Sequence, residues 1–163
     1  MRYQVISLIL LLVASIPVAH SQEAVFLIRH AEQVHDVEDP PLTADGIERA
    51  KAWANSFRDA GIDMVFTSKK MRTKQTGEPI AKALNVPMVM MPRRDIAGLV
   101  SRVREEHAGE VVLIVSHSKT VPKLVAAFAP FFETFTIKKD DYGSLFVIVP
   151  KGPDNTAVIR LRY

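Results

Sequence analysis

The sequence predicts a three-layer α/β/α sandwich on a mostly parallel sheet, closed by a C-terminal antiparallel hairpin. Three observations carry this prediction. Short apolar runs alternate with helix-period patterns along the chain, the order expected of strands joined by crossover helices. The runs at 24–28 (AVFLI) and 111–115 (VVLIV) have no polar face, as strands buried on both sides require. The runs at 145–149 and 157–161 are joined by the turn-rich Lys151-Gly152-Pro153-Asp154-Asn155, which reads as a hairpin connection.

The elements follow in order. After the first strand, Thr43 can cap a helix with apolar positions Ile47, Ala50, Ala54 and Phe57, at spacings of three and four, with Gly61 as its C-cap. Residues 64–67 form a second strand. Residues 73–84 form a second helix, closed by Asn85 and Pro87, and 86–91 a third strand. Asp95 can cap a third helix carrying Leu99, Val100 and Val103, closed by Gly109. The fourth strand, 111–115, precedes a fourth helix at 121–128. Trp53 and the Phe128, Phe131 and Phe132 group could face a partner, but the core is the more ordinary place for aromatics.

The first 21 residues differ from the rest. Arg2 gives a positive start, 5–13 is a nine-residue apolar stretch broken only by Ser7, and Pro17 ends it. Ala19 and Ser21 place small residues where a signal peptidase reads. This is the pattern of a secretory signal with cleavage before Gln22, and it predicts a periplasmic or secreted protein. A retained membrane anchor is the rival, but the stretch is shorter than the ~20 apolar residues a span needs. Removing 21 of 163 residues leaves 142, with 20 basic and 18 acidic side chains, enough for one domain over 22–163. Zero Cys excludes disulfides, thiolate nucleophiles and Cys-based metal sites. The net charge of +3 is too small to argue for nucleic acid.

In an open parallel sheet, ligands bind beyond the carboxyl ends of the strands. Arg29-His30-Ala31-Glu32 follows the first strand, Ser68-Lys69-Lys70-Met71-Arg72 the second and Ser116-His117-Ser118 the fourth. Two Arg and two His thus share one sheet edge. Arg29 and Arg72 are permanently charged forks suited to phosphate oxygens. One His could attack phosphorus and the other, protonated, could donate to the equatorial oxygens. No metal or other cofactor is required, because four cationic or donor groups supply the electrostatics. The cluster H-x-E-x-x-H-D at His30, Glu32, His35 and Asp36 lacks the zincin spacing. Lys69, Lys70, Lys74, Arg93, Arg94 and Lys119 could attract an anionic substrate or simply form a solvated face.

Together these residues resemble the histidine phosphatase, or phosphoglycerate mutase-like, superfamily. Residues 26–32 (FLIRHAE) are similar to its Arg-His-Gly signature, 41–46 (PLTADG) to its P-L-T-x-x-G segment, 68–76 (SKKMRTKQT) to its S-x-x-x-R-x-x-Q-T segment, and 115–118 (VSHS) to the place of its second histidine. The resemblance implies that His30 is the phosphorylated nucleophile and that Arg29, Arg72 and His117 complete a phosphate pocket; Ser118 and Glu32, close after the two histidines, are further substrate-binding candidates. It implies hydrolysis of a phosphomonoester or phosphoramidate on a small molecule or a phosphoprotein. Ala31 departs from the signature's Gly. Many members place a Glu after the third strand as general acid; here Asp95 is the first acid there, and it can equally be a helix cap, while Glu32 and Asp36 are the other candidates. About a dozen residues separate Leu84 from the third helix, too few for a large lid. The alternative is an envelope protein that binds phosphate groups on the same scaffold without turnover.

Overall fold

The computed structural model describes residues 23–152 and 155–163. The segment 1–21, where the sequence leads one to expect an export signal, lies outside the described residues, as do Pro153 and Asp154 of the hairpin connection. The order is β1 (Ala24–Arg29), α1 (Ala44–Ser56), β2 (Met64–Ser68), α2 (Met71–Leu84), β3 (Met88–Met91), α3 (Ile96–Glu106), β4 (Val111–Ser116), α4 (Val121–Phe128), β5 (Ser144–Gly152) and β6 (Asn155–Arg162). Among the described residues, no helix is long and apolar enough to cross a membrane.

One sheet holds all six strands in the order β3-β2-β4-β1-β5-β6. β1, β2, β3 and β4 are parallel, and β5 turns antiparallel onto β1. The hairpin expected from the sequence is present, with Gly152 opposite Asn155. β1 and β4 occupy the centre, and their near-continuous apolar runs are buried from both sides. Val25, Leu27, Phe66, Val112, Ile114 and Phe146 pack on one face under α3 and α4. Ile28, Val65, Leu113, Val115 and Leu145 pack on the other under α1 and α2. Alternate residues of each strand thus serve opposite helix layers.

Several boundaries differ from the periodicity. Helix α1 ends at Ser56, and Phe57 caps it by donating its N–H to Trp53 O at 3.0 Å. Gly61 lies beyond, in a turn that needs its positive φ of 65°. Ile47 stays 45% exposed because it faces away from the sheet. Helix α2 starts two residues early and ends in a Schellman motif. Asn85 is left-handed, and Val86 and Asn85 donate to Ala81 O at 3.0 Å and Lys82 O at 3.3 Å. That motif consumes Val86, so β3 begins only at Met88. Helix α3 closes at His107, and Gly109, at φ 79°, belongs to the following turn. Trp53 is buried, stacked on Phe57 and tilted against Tyr163. Phe128 is buried and Phe132 packs against the core, but Phe131 is 89% exposed.

Candidate active site

Strand register assembles the site. Arg29 and Ser116 are the last paired residues of β1 and β4, so the next residues, His30 and His117, emerge near each other. The His30 N–H extends the ladder by donating to Ser116 O at 2.9 Å. The two imidazoles meet with ring centroids 5.3 Å apart. β2 lies on the other side of β4 and ends at Ser68, which brings Arg72, in the first turn of α2, to the same edge. Arg29, His30 and His117 are all buried.

His30 is held as one tautomer. Its Nδ1 lies 2.8 Å from the Ala31 carbonyl, which can only accept, so Nδ1 carries the proton and Nε2 keeps its lone pair. Burial pushes its pKa down to about 3, aided by the charges of Arg29, Arg72 and Arg93. The imidazole is therefore neutral and nucleophilic at neutral pH. Ala31 itself is fully buried and donates its N–H to Thr76 Oγ1 at 3.0 Å.

A proton count fixes His117. Thr73 Oγ1 spends its proton on the carbonyls of Ser68 (2.9 Å) and Lys70 (2.8 Å). The Ser68 hydroxyl must then donate to Thr73 Oγ1, at 2.8 Å. Ser68 Oγ is left as an acceptor, and the His117 Nε2–H fills it at 3.0 Å. His117 Nδ1 is buried without a partner among the described residues. Burial first, then His30, Arg72, Arg93 and Arg29, hold its pKa at about 3. A bound dianion would oppose the arginine charges and offer Nδ1–H⁺ an acceptor, which favours protonation of His117.

The arginines are aimed by their surroundings. Arg29 Nη1 donates to the carbonyls of Lys138 (3.2 Å), Lys139 (2.9 Å) and Asp141 (3.2 Å), and its guanidinium lies 4.0 Å from the Tyr142 ring centroid. Its Nε is buried and unpartnered, so the other edge of the fork is the one on offer. The loop before β5 is itself pinned. Asp141 accepts from Ser144 N (3.1 Å), Ser144 Oγ (2.8 Å) and Arg160 (3.1 Å). Arg72 Nη1 pairs with Asp39 at 3.7 Å, and its Nε is likewise buried and free. Burial lowers both guanidinium pKa values, yet both stay charged at neutral pH.

The structure thus gathers Arg29, His30, Arg72 and His117. The other sequence candidates sit differently. Glu32 is paired with Arg49, whose Nε reaches its two oxygens at 2.7 and 2.9 Å; against the opposing effect of burial, this pair keeps the carboxyl below its usual range. Asp95 caps α3, accepting from Gly98 N at 2.9 Å. Ser118 is half-buried in the turn after His117, and Asp36 and Lys119 are exposed. Sequence reasoning gave no role to Ser68, Asp39 or Tyr142. Ser68 ends a strand beside β4, a position that could have flagged it. Tyr142 reaches the site only through the long loop after α4, and no local pattern announces it.

Residues 25–95 match the histidine phosphatase superfamily (branch 1). Among curated relatives, "Probable phosphatase C1620.13" of Schizosaccharomyces pombe is 39% identical over 70 residues, 38% of this chain and 25% of that protein. "Probable phosphoglycerate mutase GpmB" of Yersinia enterocolitica is 40% identical over 76 residues, 42% of this chain and 35% of that protein. The matched segments thus span only a quarter to about a third of these relatives. A solved structure of the protein histidine phosphatase SixA complexed with tungstate superposes with a TM-score of 0.70 at 24% identity, covering 85% of this chain and 96% of SixA.

Proposed function

Because the chain belongs to the histidine phosphatase superfamily, we propose that it is a metal-independent phosphatase that passes a phosphoryl group through His30. The observation that carries this reading is the pair of buried neutral imidazoles between two arginines. His30 offers an Nε2 lone pair, and Arg29, Arg72 and His117 offer unpartnered buried nitrogens. Arg29 and Arg72 hold the phosphoryl oxygens, and protonated His117 donates to one of them. Nε2 of His30 attacks phosphorus as the leaving group departs. The product imidazolium is stabilised by its Nδ1–H bond to Ala31 O. Water then attacks phosphorus, and the N–P electron pair returns to Nε2. Tungstate is a phosphate-like oxyanion, and its complex with SixA, a protein of similar fold, supports reading this chain as one that takes such anions. The substrate is a phosphomonoester or phosphoramidate, on a small molecule or a protein. Residues 1–21 support action in the periplasm or outside the cell.

The test is hydrolysis of p-nitrophenyl phosphate in EDTA by the 22–163 protein and by His30→Ala, with phosphate trapped on the protein by rapid alkaline quench. Turnover and alkali-stable, acid-labile phosphate in the wild type alone are expected. An inert wild type, or a His30→Ala variant of equal rate, overturns the reading.

A further inference from the structure

Resting on that phosphatase reading, we propose that the site selects phosphoryl donors whose leaving group departs as an anion without receiving a proton, an acyl phosphate or a phosphoanhydride, and that Arg93 receives the departing charge. The first ground is the state of the carboxylates. Glu32, Asp39 and Asp141 are the acids set against the pocket arginines, and each is engaged. Glu32 is held by Arg49 at 2.7 Å, Asp39 lies 3.7 Å from Arg72 and 3.8 Å from Lys70, and Asp141 lies 3.1 Å from Arg160 and 3.6 Å from Arg162. Asp95, on the turn between β3 and α3, spends an oxygen on Gly98 N. A carboxylate paired with a cation is a poor proton donor. An alkoxide leaving group, whose conjugate acid is about as weak an acid as water, would need one. A carboxylate or phosphate leaving group does not.

The second ground is an excess of fixed positive charge at this edge of the sheet. Arg93 stands on the same turn, exposed, with no hydrogen bond or ion pair among the described residues. It lines a cavity of about 20 Å³ together with Thr67, Asp95, Ser116 and Ser68, the serine that holds His117. Its charge also acts on His30, Arg72 and His117. A terminal phosphoryl dianion is matched by Arg29 and Arg72. Arg93 is then left for a second negative group.

The step balances without an acid. The Nε2 lone pair of His30 forms the N–P bond, and the bridging P–O bond breaks. Its electron pair leaves on the carboxylate or phosphate oxygen, beside Arg93. Water later releases phosphate from His30.

The experiment compares acetyl phosphate, pyrophosphate, p-nitrophenyl phosphate, β-glycerophosphate and phosphoimidazole as substrates of the wild type, Arg93→Gln and Arg93→Lys. Acetyl phosphate and pyrophosphate should outrun β-glycerophosphate by at least a hundredfold in kcat/KM, and their two arms show which anionic leaving group is preferred. Arg93→Gln should lose about tenfold more on both than on phosphoimidazole, which releases a neutral base. Arg93→Lys should recover most of that loss. Equal rates on β-glycerophosphate, or an equal Arg93→Gln loss on phosphoimidazole, overturns the inference. Either result would leave the phosphatase reading standing, since that reading fails on an inert wild type or on a His30→Ala variant of equal rate.

Discussion

Acid should unfold this protein through its two pocket histidines, well before its carboxylates titrate. His30 and His117 have folded-state pKa values of about 3, against 6.5 for an unfolded histidine. The folded values are depressed, so as pH falls the unfolded chain takes up protons first. Stability is then lost between pH 6.5 and 3, and is fully present above 6.5. From pH 7.5 to pH 5.0 each histidine should cost about 2 kcal/mol, and the two about 4 kcal/mol. Both side chains are buried, so solvent screening does not reduce the figure. At about 3 °C per kcal/mol for a domain of this size, Tm should fall by about 12 °C. The assay is thermal denaturation, followed by circular dichroism, of the wild type and the His30→Asn/His117→Asn double variant at the two pH values. The double variant should lose less than about 3 °C over the same interval. Equal Tm losses in both proteins would refute the reasoning, because the acid sensitivity would then lie elsewhere.

Three further outcomes follow from single contacts. Ser68→Ala removes the acceptor that orients His117 and should lower kcat for p-nitrophenyl phosphate about tenfold with the fold intact, measured by steady-state kinetics beside circular dichroism. Asp141→Ala unpins the loop whose carbonyls aim Arg29; it should cost about 2 kcal/mol in urea denaturation and raise the tungstate inhibition constant about tenfold. Gly46→Ala should destabilise by about 1–3 kcal/mol with little change in activity per folded molecule, because an added Cβ would lie 2.2 Å from Glu32 O.

Much of the architecture is local and was legible in the chain. The apolar runs of β1 and β4, the Thr43 and Asp95 caps and the hairpin signals all act within a few residues, and each fixes an element. Because side chains at strand ends inherit the sheet's order, Arg29, His30, Arg72 and His117 could be placed at one edge before any coordinate was known. Boundaries were less legible where capping overrode periodicity, as at Phe57 and in the Asn85 Schellman motif. The roles of Glu32 and Asp95 could not be separated by sequence, since a carboxylate near a strand end can serve a pocket, a helix cap or an arginine. Only the packed chain decided that Arg49 takes Glu32 and Gly98 takes Asp95. It also decided which edge of Arg29 faces the pocket, through carbonyls 109 to 112 residues away. Residue type determines what a side chain can do. Contacts across such separations determine its tautomer, charge and direction, because they depend on how the loop after α4 closes over the sheet.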